Sequence, residues 1–296
     1  MSRDLIKKII EDSVSEDGLV DFGIKGVQLF RVTEPIRCAP AVYEPCVIAI
    51  VSGAKKAILD GNAFEYDSNH YLCCTMSMPV EAGSHQASPD EPLLGVYISL
   101  DTRVLTELAI EMESATGAFR PPKGDSQPKG LSLAGWDDAF TDALLRLLQL
   151  GDSPLDIAVL GRSRLREIYY AILKGEAGDS ARRAFGVGNA IARAIEYVSS
   201  RLTESVTTEE MASQVGMSRA VFHRKFKSAT TMSPIQYVKS MRLNSAAMKI
   251  AGGMNVNQAA LEVGYLSTSQ FSREFKRLYG QSPKQWTTSQ RSLGEK

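Results

Sequence analysis

The chain has 296 residues, with 34 basic and 34 acidic side chains that cancel to a formal net charge of zero. The charges are segregated, because residues 1–179 carry a net −10 and residues 180–296 a net +10, with 17 Lys and Arg against 7 Asp and Glu. A basic end is typical of phosphate binding, so we expect residues 180–296 to approach nucleic acid. Without a signal peptide or a membrane-spanning apolar run, we expect a cytoplasmic protein that does not contact membranes.

The first hundred residues have the pattern of short strands separated by turns. Apolar or β-branched runs alternate with Gly, Pro, Asp, Asn and Ser, and Asp60-Gly61-Asn62 is a strong hairpin signal between two of the runs. The runs are Val27 to Thr33, Cys46 to Val51, Lys56 to Leu59, Tyr71 to Met76 and Leu93 to Leu100. This spacing predicts a small barrel or sandwich. Apolar residues lie along both faces of Cys46 to Val51, so the pattern does not assign its inward face.

Four cysteines lie in the front half, and a reducing compartment disfavours disulfides between them. Cys73 and Cys74 are adjacent in a predicted strand, so their side chains point to opposite faces and do not form a joint metal clamp. We expect buried, inert thiols. The alternative is a thiol sensor of electrophiles or oxidants, in which Cys46 and Cys73 are the weak ligand-binding candidates.

The pattern changes from strand to helix after Asp101. Helices are predicted over residues 102–116, 136–150 and 155–173, and Pro121 to Asp125 separates the first from the second. The second and third are candidates for dimerisation, but the leucines of the second could equally form ordinary core. These leucines are Leu144, Leu145, Leu147, Leu148 and Leu150.

The C-terminal third contains one stretch written twice, Ala212 to Tyr237 and Ala260 to Trp286. The copies match at an offset of 48 up to the glycine and 49 after it. Each predicts a short helix, a turn with glycine and a second helix, which is the order of a helix-turn-helix. We expect these units at about residues 207–228 and 255–277, joined by a helix from Pro234 to about Ile250.

Local chemistry predicts how these helices begin. Thr207 followed by Glu210 is a capping box, and Asn255 with Gln258 can take the same part in the second copy. Gly216 and Gly264 suit left-handed turns, and Ser218 and Ser267 suit the caps of the second helices. The two copies therefore match in the residues that cap their helices and form their turns, as well as in overall sequence.

The second helix of each copy has an apolar and a polar face. A phenylalanine pair at helical spacing predicts core, whereas the polar face recurs in both copies and predicts DNA contacts. The candidates for base contacts are Ala220, His223, Arg224, Ser269, Gln270, Ser272 and Arg273. The candidates for phosphate contacts are Arg219, Lys227, Thr268 and Lys276. Arginine can bond guanine in a fork, whereas phosphate contacts set register more than sequence.

The duplicated unit resembles the C-terminal domain of AraC/XylS-type bacterial transcription regulators, most clearly at Gly264-Tyr265, at residues 271–276 and at residues 280–283. The resemblance implies seven helices, two helix-turn-helix units joined by a linker helix, and control of transcription from promoter DNA. In this family the position of Ala220 often carries a larger base-contacting side chain, so alanine offers only a methyl contact.

The front half is similar to the N-terminal domain attached to many such regulators, most clearly from Pro45 to Asp101. That resemblance implies a cupin-like barrel followed by helices, which senses a small molecule and often carries dimer contacts. The expected fold is therefore α+β, with a cupin-like barrel or sandwich and helices at the N-terminus and an all-α domain with two helix-turn-helix units at the C-terminus. The expected domains are residues 1–175 for sensing and dimerisation, 176–188 as linker and 189–290 for DNA binding.

An enzyme is a weaker interpretation. Cupin-like barrels also hold metal-dependent enzymes, but that chemistry needs clustered histidine and carboxylate ligands, whereas His70 and His85 are isolated and His223 lies on a predicted recognition helix. Gly186-Val187-Gly188 is too short for a phosphate-binding loop and does not follow a strand. We therefore expect no catalytic site, no metal and no cofactor.

The leading hypothesis is a transcription regulator controlled by a small-molecule effector of unknown identity. The alternative is a constitutive DNA-binding regulator whose N-terminal domain only dimerises or binds a partner, and a cupin-type enzyme with an accessory DNA domain comes third. The expected partners are promoter DNA, the effector and a second copy in a homodimer, with RNA polymerase as a further candidate.

Overall fold

Two antiparallel sheets form the N-terminal half of the computed structural model, which describes residues 2–116, 129–186 and 189–294. The six-stranded sheet has the order β1 (Gly18–Asp21), β2 (Val27–Val32), β9 (Leu93–Ser99), β4 (Cys46–Ser52), β7 (His70–Cys74) and β10 (Leu131–Gly135). The four-stranded sheet has the order β3 (Ile36–Tyr43), β8 (Met78–Ser84), β5 (Ala54–Leu59) and β6 (Asn62–Asp67). This arrangement confirms the predicted barrel or sandwich.

The central strands β9, β4 and β7 of the six-stranded sheet are buried on both faces, which explains why they have no simple polar alternation. Cys46, Ile48 and Ile50 of β4 point between the sheets, whereas Val47 and Ala49 pack in the core under the helices. The same alternation places Cys74 between the sheets and Cys73 under the helices, so the prediction that these two cysteines face opposite sides is confirmed.

The predicted hairpin turn forms between β5 and β6. Asp60 and Gly61 both have positive φ, 48° and 78°, as a type I′ turn requires. Its second strand, β6, is not among the predicted runs, because its polar residues do not form a continuous apolar run. β3 and β8 were also missed, since Pro40 and Pro79 argue against strands. Pro40 is tolerated because β3 lies at the sheet edge.

Five α-helices accompany the sheets within the described part of the N-terminal half. They are α1 (Ser2–Ser13), which the sequence did not predict, α2 (Thr102–Thr116), α3 (Asp138–Leu148), α4 (Pro154–Lys174) and α5 (Gly178–Phe185). α3 begins two residues later than predicted because Asp137 accepts a hydrogen bond from Phe140 N at 2.7 Å. α5 lies inside the segment predicted as linker. Residues 121–125 and 187–188 lie outside the described residues.

The leucines of α3 form core. Leu144, Leu147 and Leu148 are buried against α1 and α4, Leu150 is buried beside them and Leu145 is half-buried. Of the two interpretations left open by the sequence, ordinary core is therefore the one that applies to these leucines.

Seven helices follow in the described C-terminal residues, as the resemblance implied. They are α6 (Ala190–Ser199), α7 (Thr208–Gln214), α8 (Arg219–Thr230), α9 (Pro234–Ala251), α10 (Val256–Glu262), α11 (Thr268–Tyr279) and α12 (Pro283–Gly294). In the described ranges, no helix is both long enough and apolar enough to cross a membrane.

Candidate nucleic-acid interface

The C-terminal domain contains two helix-turn-helix units, α7–α8 and α10–α11. In the first unit, both helices begin at the capping residues that the sequence predicts. Thr207 Oγ1 accepts from Glu210 N at 3.2 Å, and Glu210 Oε2 accepts from Thr207 N at 2.7 Å. This backbone bond lowers the pKa of the Glu210 carboxyl. Ser218 Oγ then accepts from Val221 N at 3.5 Å and starts α8.

The second unit begins differently from the prediction. Asn255 Oδ1 accepts from Asn257 N at 2.8 Å, so asparagine caps α10 by itself. Gln258 Nε2 donates instead to Glu262 Oε1 at 3.1 Å, and the expected reciprocal capping box does not form. The reason is that Glu262 is a charged acceptor one turn further along the helix, which attracts the amide away from the cap.

Glycine is required at the turn of each unit. Gly216 and Gly264 have φ of +68° and +86°, the left-handed region that favours glycine. A Cβ on Gly264 would lie 2.7 Å from Leu202 O and 2.8 Å from Thr203 O, whereas one on Gly216 would meet nothing within 4 Å. The second turn therefore sits against the loop that follows α6, and Arg242 of α9 donates to Leu202 O of the same loop at 2.8 Å.

Equivalent aromatic pairs fix the two recognition helices. The rings of Phe222 and Phe226 on α8 lie 5.3 Å apart, and those of Phe271 and Phe275 on α11 lie 5.4 Å apart, with all four side chains buried. Each inner phenylalanine also contacts an equivalent aromatic residue, because Phe226 meets Tyr237 at 5.3 Å and Phe275 meets Trp286 at 6.1 Å. The two copies of the repeat therefore share their aromatic packing as well as their sequence pattern.

The opposite faces of α8 and α11 are exposed. The residues named as base or phosphate candidates are exposed except Ser272, which is half-buried. Arg219 Nη1 pairs with Glu209 at 2.8 Å, and Gln270 Nε2 donates to Glu274 at 3.2 Å. Within the described residues, neither an ion pair nor a hydrogen bond occupies the side chains of His223, Arg224, Lys227, Arg273 and Lys276. Two cationic faces are thus open to a polyanion.

Residues 23–180, more than half of the chain, match the family model described as AraC-type transcriptional regulator N-terminus. The chain belongs to the AraC-type transcriptional regulators. Residues 211–289 of this regulator match a second model, described as a helix-turn-helix domain, which begins within α7 and covers α8 to α11.

Curated relatives match shorter segments. The probable transcriptional regulator LumQ of Photobacterium leiognathi is 35% identical over 88 residues, covering 29% of this chain and 36% of LumQ. The HTH-type transcriptional regulator AlkR of Acinetobacter baylyi is 38% identical over 81 residues, covering 27% of this chain and 26% of AlkR. The chain therefore spans only about a quarter to a third of these two relatives.

Solved structures match over most of the chain. ToxT of Vibrio cholerae aligns with a TM-score of 0.57 at 15% identity, over 88% of this chain and 97% of ToxT. ToxT bound to (E)-4-(8-methylnaphthalen-1-yl)but-3-enoic acid aligns with a TM-score of 0.58 at 16% identity, over 90% of this chain and 100% of ToxT. At such identities the likeness shows the fold of this AraC-type regulator.

The linker helix α9 of this regulator is docked onto the four-stranded sheet. Asn244 is buried there, and its Nδ2 donates to Ala41 O of β3 at 2.8 Å and to Val80 O of β8 at 2.9 Å. Tyr237 OH donates to Ser77 O at 2.6 Å, and Gly130 N donates to Ala229 O at 2.8 Å. These contacts join the helix-turn-helix domain directly to the strands, a connection that the sequence analysis missed because its partners are backbone carbonyls.

A cleft of about 820 Å³ lies where the two domains meet. Glu44 and Ser77 line it from the ends of the strands, Arg103 from α2, and Arg193 and Glu196 from α6. The three α2 and α6 charges are exposed and therefore hydrated. No local motif in the sequence indicated this space, because its walls come together only in the folded chain.

The weak ligand candidates Cys46 and Cys73 do not come together. Cys46 lies between the sheets opposite Cys74, whereas Cys73 lies on the other face. Burial raises the pKa of Cys73 to about 12, so this side chain stays a thiol and not a nucleophilic thiolate. Both cysteines are fully buried, which favours inert core over a sensor of electrophiles. Within the described ranges, no three His, Cys, Asp or Glu side chains are placed to hold a metal ion.

Proposed function

We propose that this AraC-type regulator binds promoter DNA through the exposed faces of α8 and α11, under the control of a small-molecule effector. The observation that carries the first part is the repeated recognition helix, with a buried phenylalanine pair beneath and unpaired basic side chains above. Arg224 and Arg273 are equivalent in the two copies and reach base edges, whereas Lys227 and Lys276 contact phosphates.

The length of α9 supports reading of two DNA segments by one chain. Its 18 residues span about 27 Å at 1.5 Å per residue. Successive major-groove segments on one face of DNA are about 34 Å apart. Two recognition helices at the ends of such a connector suit adjacent segments, so that a dimer covers four.

Two observations support effector control. ToxT structures of the same fold are bound to an unsaturated fatty acid and to a naphthyl butenoic acid, so this fold accepts small molecules in that protein. In this chain α9 bonds to β3 and β8, so a ligand that shifts the strands alters the support of the DNA-binding helices. An effector acts only if it binds one arrangement better than the other. In the alternative, a constitutive regulator, no small molecule would change the contacts of α9 with β3 and β8.

The exposed side of α4 supports a homodimer. Leu155 and Val159 are exposed by 71% and 66% and lie one turn apart, with Tyr170 further along the same stripe. Such an apolar stripe on an outer helix is self-complementary across a two-fold axis. We therefore place the dimer contact on α4 and not on the leucines of α3.

The test of DNA binding uses the purified full chain and genomic fragments that include the region upstream of its own gene. The Arg224→Ala/Arg273→Ala variant should bind the preferred fragment at least about 30-fold more weakly, since each lost base contact costs about 1–3 kcal/mol and every 1.4 kcal/mol is tenfold. The control, Lys8→Ala/Lys25→Ala, removes two exposed charges from the N-terminal half and should bind like the parent. Equal affinity of both variants would refute the assignment of α8 and α11. The effector part fails if no small molecule changes the affinity for that fragment.

A further inference from the structure

Gln270 lies where the sequence pattern predicts a capping box, but its side chain does not complete one. Ser267 and Gln270 have the Ser-x-x-Gln spacing of such a box. The same spacing begins α9 and α12, where the glutamine Oε1 accepts from the serine backbone N at 3.1 and 2.9 Å. In α11, Gln270 Nε2 instead donates to Glu274 Oε1 at 3.2 Å, one turn further along the helix. The Gln270 side chain is therefore drawn away from the cap by Glu274.

Glu274 is a charged partner that is itself held in place. Its side chain is only 13% exposed, and its carboxylate pairs with Lys239 Nζ of α9 at 3.6 Å and accepts from Tyr265 OH at 2.8 Å. Burial acts to raise the pKa of Glu274, but hydrogen bonds from Tyr265 and Gln270 outweigh it and hold the pKa below its usual value. The carboxyl group is therefore ionised at neutral pH, and it accepts hydrogen bonds without donating any.

A partner that only accepts decides which way the Gln270 amide points. A glutamine amide has one accepting oxygen and one donating NH2 group, and only the donating end can face a carboxylate. One N–H is used on Glu274, so the Oε1 and the second N–H remain for a ligand. Gln270 is exposed in the first turn of α11, and in the described part of the chain its side chain makes no other hydrogen bond. The exposed face of α11 therefore presents one acceptor beside one donor in a fixed order.

The first copy of the repeat lacks this arrangement. At the offset of 49, the positions of Gln270 and Glu274 hold Val221 and Lys225 of α8. Valine offers no polar atom to a base, and lysine places a cation where α11 has an anion. The two recognition helices thus share their buried phenylalanines and their exposed arginines but differ at this pair. We expect the two units to select different bases at the corresponding positions of their sites.

We propose that Gln270 reads adenine and that Glu274 is the positioning residue that orients its amide for that base. In the major groove, adenine presents the N7 acceptor next to the N6 donor, which complements a glutamine N–H beside its Oε1. Guanine presents two acceptors, N7 and O6, so the oriented Oε1 would face O6 with no hydrogen atom between them. This inference rests on the proposed function and deepens it, because it names a base that the second unit selects.

Binding of the full chain to the preferred promoter fragment tests the adenine contact. Each adenine is replaced in turn by 7-deazaadenine, which keeps the N6 donor and lacks the N7 acceptor. One such replacement should weaken binding of the parent at least about fivefold, which converts to about 1 kcal/mol, the lower bound for a bidentate contact. Gln270→Ala should lose this sensitivity. Glu274→Gln should lose it too, because a glutamine there also donates and leaves the Gln270 amide free to turn over.

Glu262→Gln is the matched control. Glu262 of α10 accepts from Gln258 Nε2 at 3.1 Å and pairs with Lys249 Nζ at 2.7 Å, so the same three kinds of side chain meet outside a recognition helix. This variant should keep the response of the parent to every 7-deazaadenine. A merely structural role of Glu274 would lower the affinity for all fragments alike, whereas a positioning role changes the response at one adenine.

A second measurement needs no DNA. In nuclear magnetic resonance spectra of the free chain, the Nε2 protons of Gln270 should exchange with water more slowly in the parent than in Glu274→Gln, since a hydrogen bond to a carboxylate is the stronger one. Equal exchange in the parent and in the folded variant overturns the proposal.

The two measurements also separate this proposal from the proposed function. Selective binding in which no 7-deazaadenine distinguishes the parent from Glu274→Gln overturns the adenine contact and leaves the proposed function standing. A parent that selects no fragment refutes the proposed function and the adenine contact with it, whereas the exchange rates still decide whether Glu274 orients the amide.

Discussion

At the scale of single residues, two glycines at equivalent turns have different surroundings. Gly216 needs only its left-handed φ, whereas Gly264 also needs the space that a Cβ would take from Leu202 O and Thr203 O. We expect Gly216→Ala to lower the free energy of unfolding by about 1–2 kcal/mol. Gly264→Ala should lower it by at least about 1 kcal/mol more, because the loop after α6 must move. Urea unfolding of both variants checks this, and equal losses would contradict it.

Glu167 links α3 to α4 in a pH-dependent way. Its carboxylate accepts from Arg146 Nη2 at 2.6 Å and from Arg164 Nη1 at 3.1 Å, and Arg146 and then Arg164 hold its pKa below the usual value. A lowered folded pKa gives stability that is present above the unfolded pKa of about 4.3 and is lost as the pH falls through the folded pKa. Glu167→Gln should therefore lose less stability than the parent between pH 6 and pH 3. The effect should stay below about 1 kcal/mol, since the pair is partly exposed. Urea unfolding of both chains at pH 6 and pH 3 checks this. An equal loss of the free energy of unfolding in the parent and in Glu167→Gln would contradict it.

The surroundings of Lys55 show which features of a single residue the sequence predicts and which it does not. Period-2 alternation through Lys55, Ala57 and Leu59 is readable and predicts a shared face, but which face is inward depends on the second sheet. Lys55 Nζ lies 5.6 Å from the ring centre of Phe30 in β2 and 5.7 Å from that of Tyr43 in β3. Because these rings come from other strands, the aromatic surroundings of the ammonium group could not be predicted.

At the scale of elements, the exposed stripe of α4 predicts an association that can be broken without unfolding. Leu155→Glu/Val159→Glu places charges on the outer face of the helix, where the parent side chains are exposed. We expect the parent to sediment as a dimer and this variant as a monomer, with an unchanged unfolding midpoint at low protein concentration. A matched variant of the buried face, Leu144→Ala, should instead lose about 2–5 kcal/mol of stability. A monomeric parent, or a variant that still dimerises, would contradict the placement of the contact.

Local signals predicted the helical elements better than the strands. The caps of α7 and α8 and the turn glycines act within a few residues, so their effect can be predicted from the sequence. The same holds for α11, where Ser267 Oγ accepts a hydrogen bond from Gln270 N at 3.3 Å. β3, β6 and β8 were missed because each is stabilised by its neighbours across the sheet, which outweigh proline or polar residues. The second helix-turn-helix shows the same limit, because competition from Glu262 decided how Asn255 caps α10.

At the scale of the whole molecule, the two domains share contacts that should make them unfold together. The buried core between the sheets continues into Phe222, Phe226 and Tyr237, and Asn244 satisfies carbonyls of both β3 and β8. Asn244→Ala removes both of these hydrogen bonds, each worth about 0.5–1.5 kcal/mol. We expect calorimetry to show one transition for the parent and two for this variant. Asn62→Ala, at the exposed start of β6, is the control. One unchanged transition in Asn244→Ala would show that the domains are coupled by other contacts.

The sequence predicts a basic, duplicated C-terminal domain, but it does not predict how that domain packs against the strands. The net +10 of residues 180–296 and the internal repeat are properties of the sequence itself. The bonds from Asn244 and Tyr237 to main-chain carbonyls depend on backbone positions that no side-chain pattern encodes.

The central claim is that both copies of the repeat contact DNA from one chain, and a hydroxyl-radical footprint on the preferred promoter fragment tests it most directly. The parent should protect segments spaced by about one helical turn, roughly 10 base pairs, with two such segments for each chain. Arg224→Ala should weaken one segment of each pair and Arg273→Ala the other. Protection of a single segment for each chain, or loss of the same segment in both variants, would contradict the account.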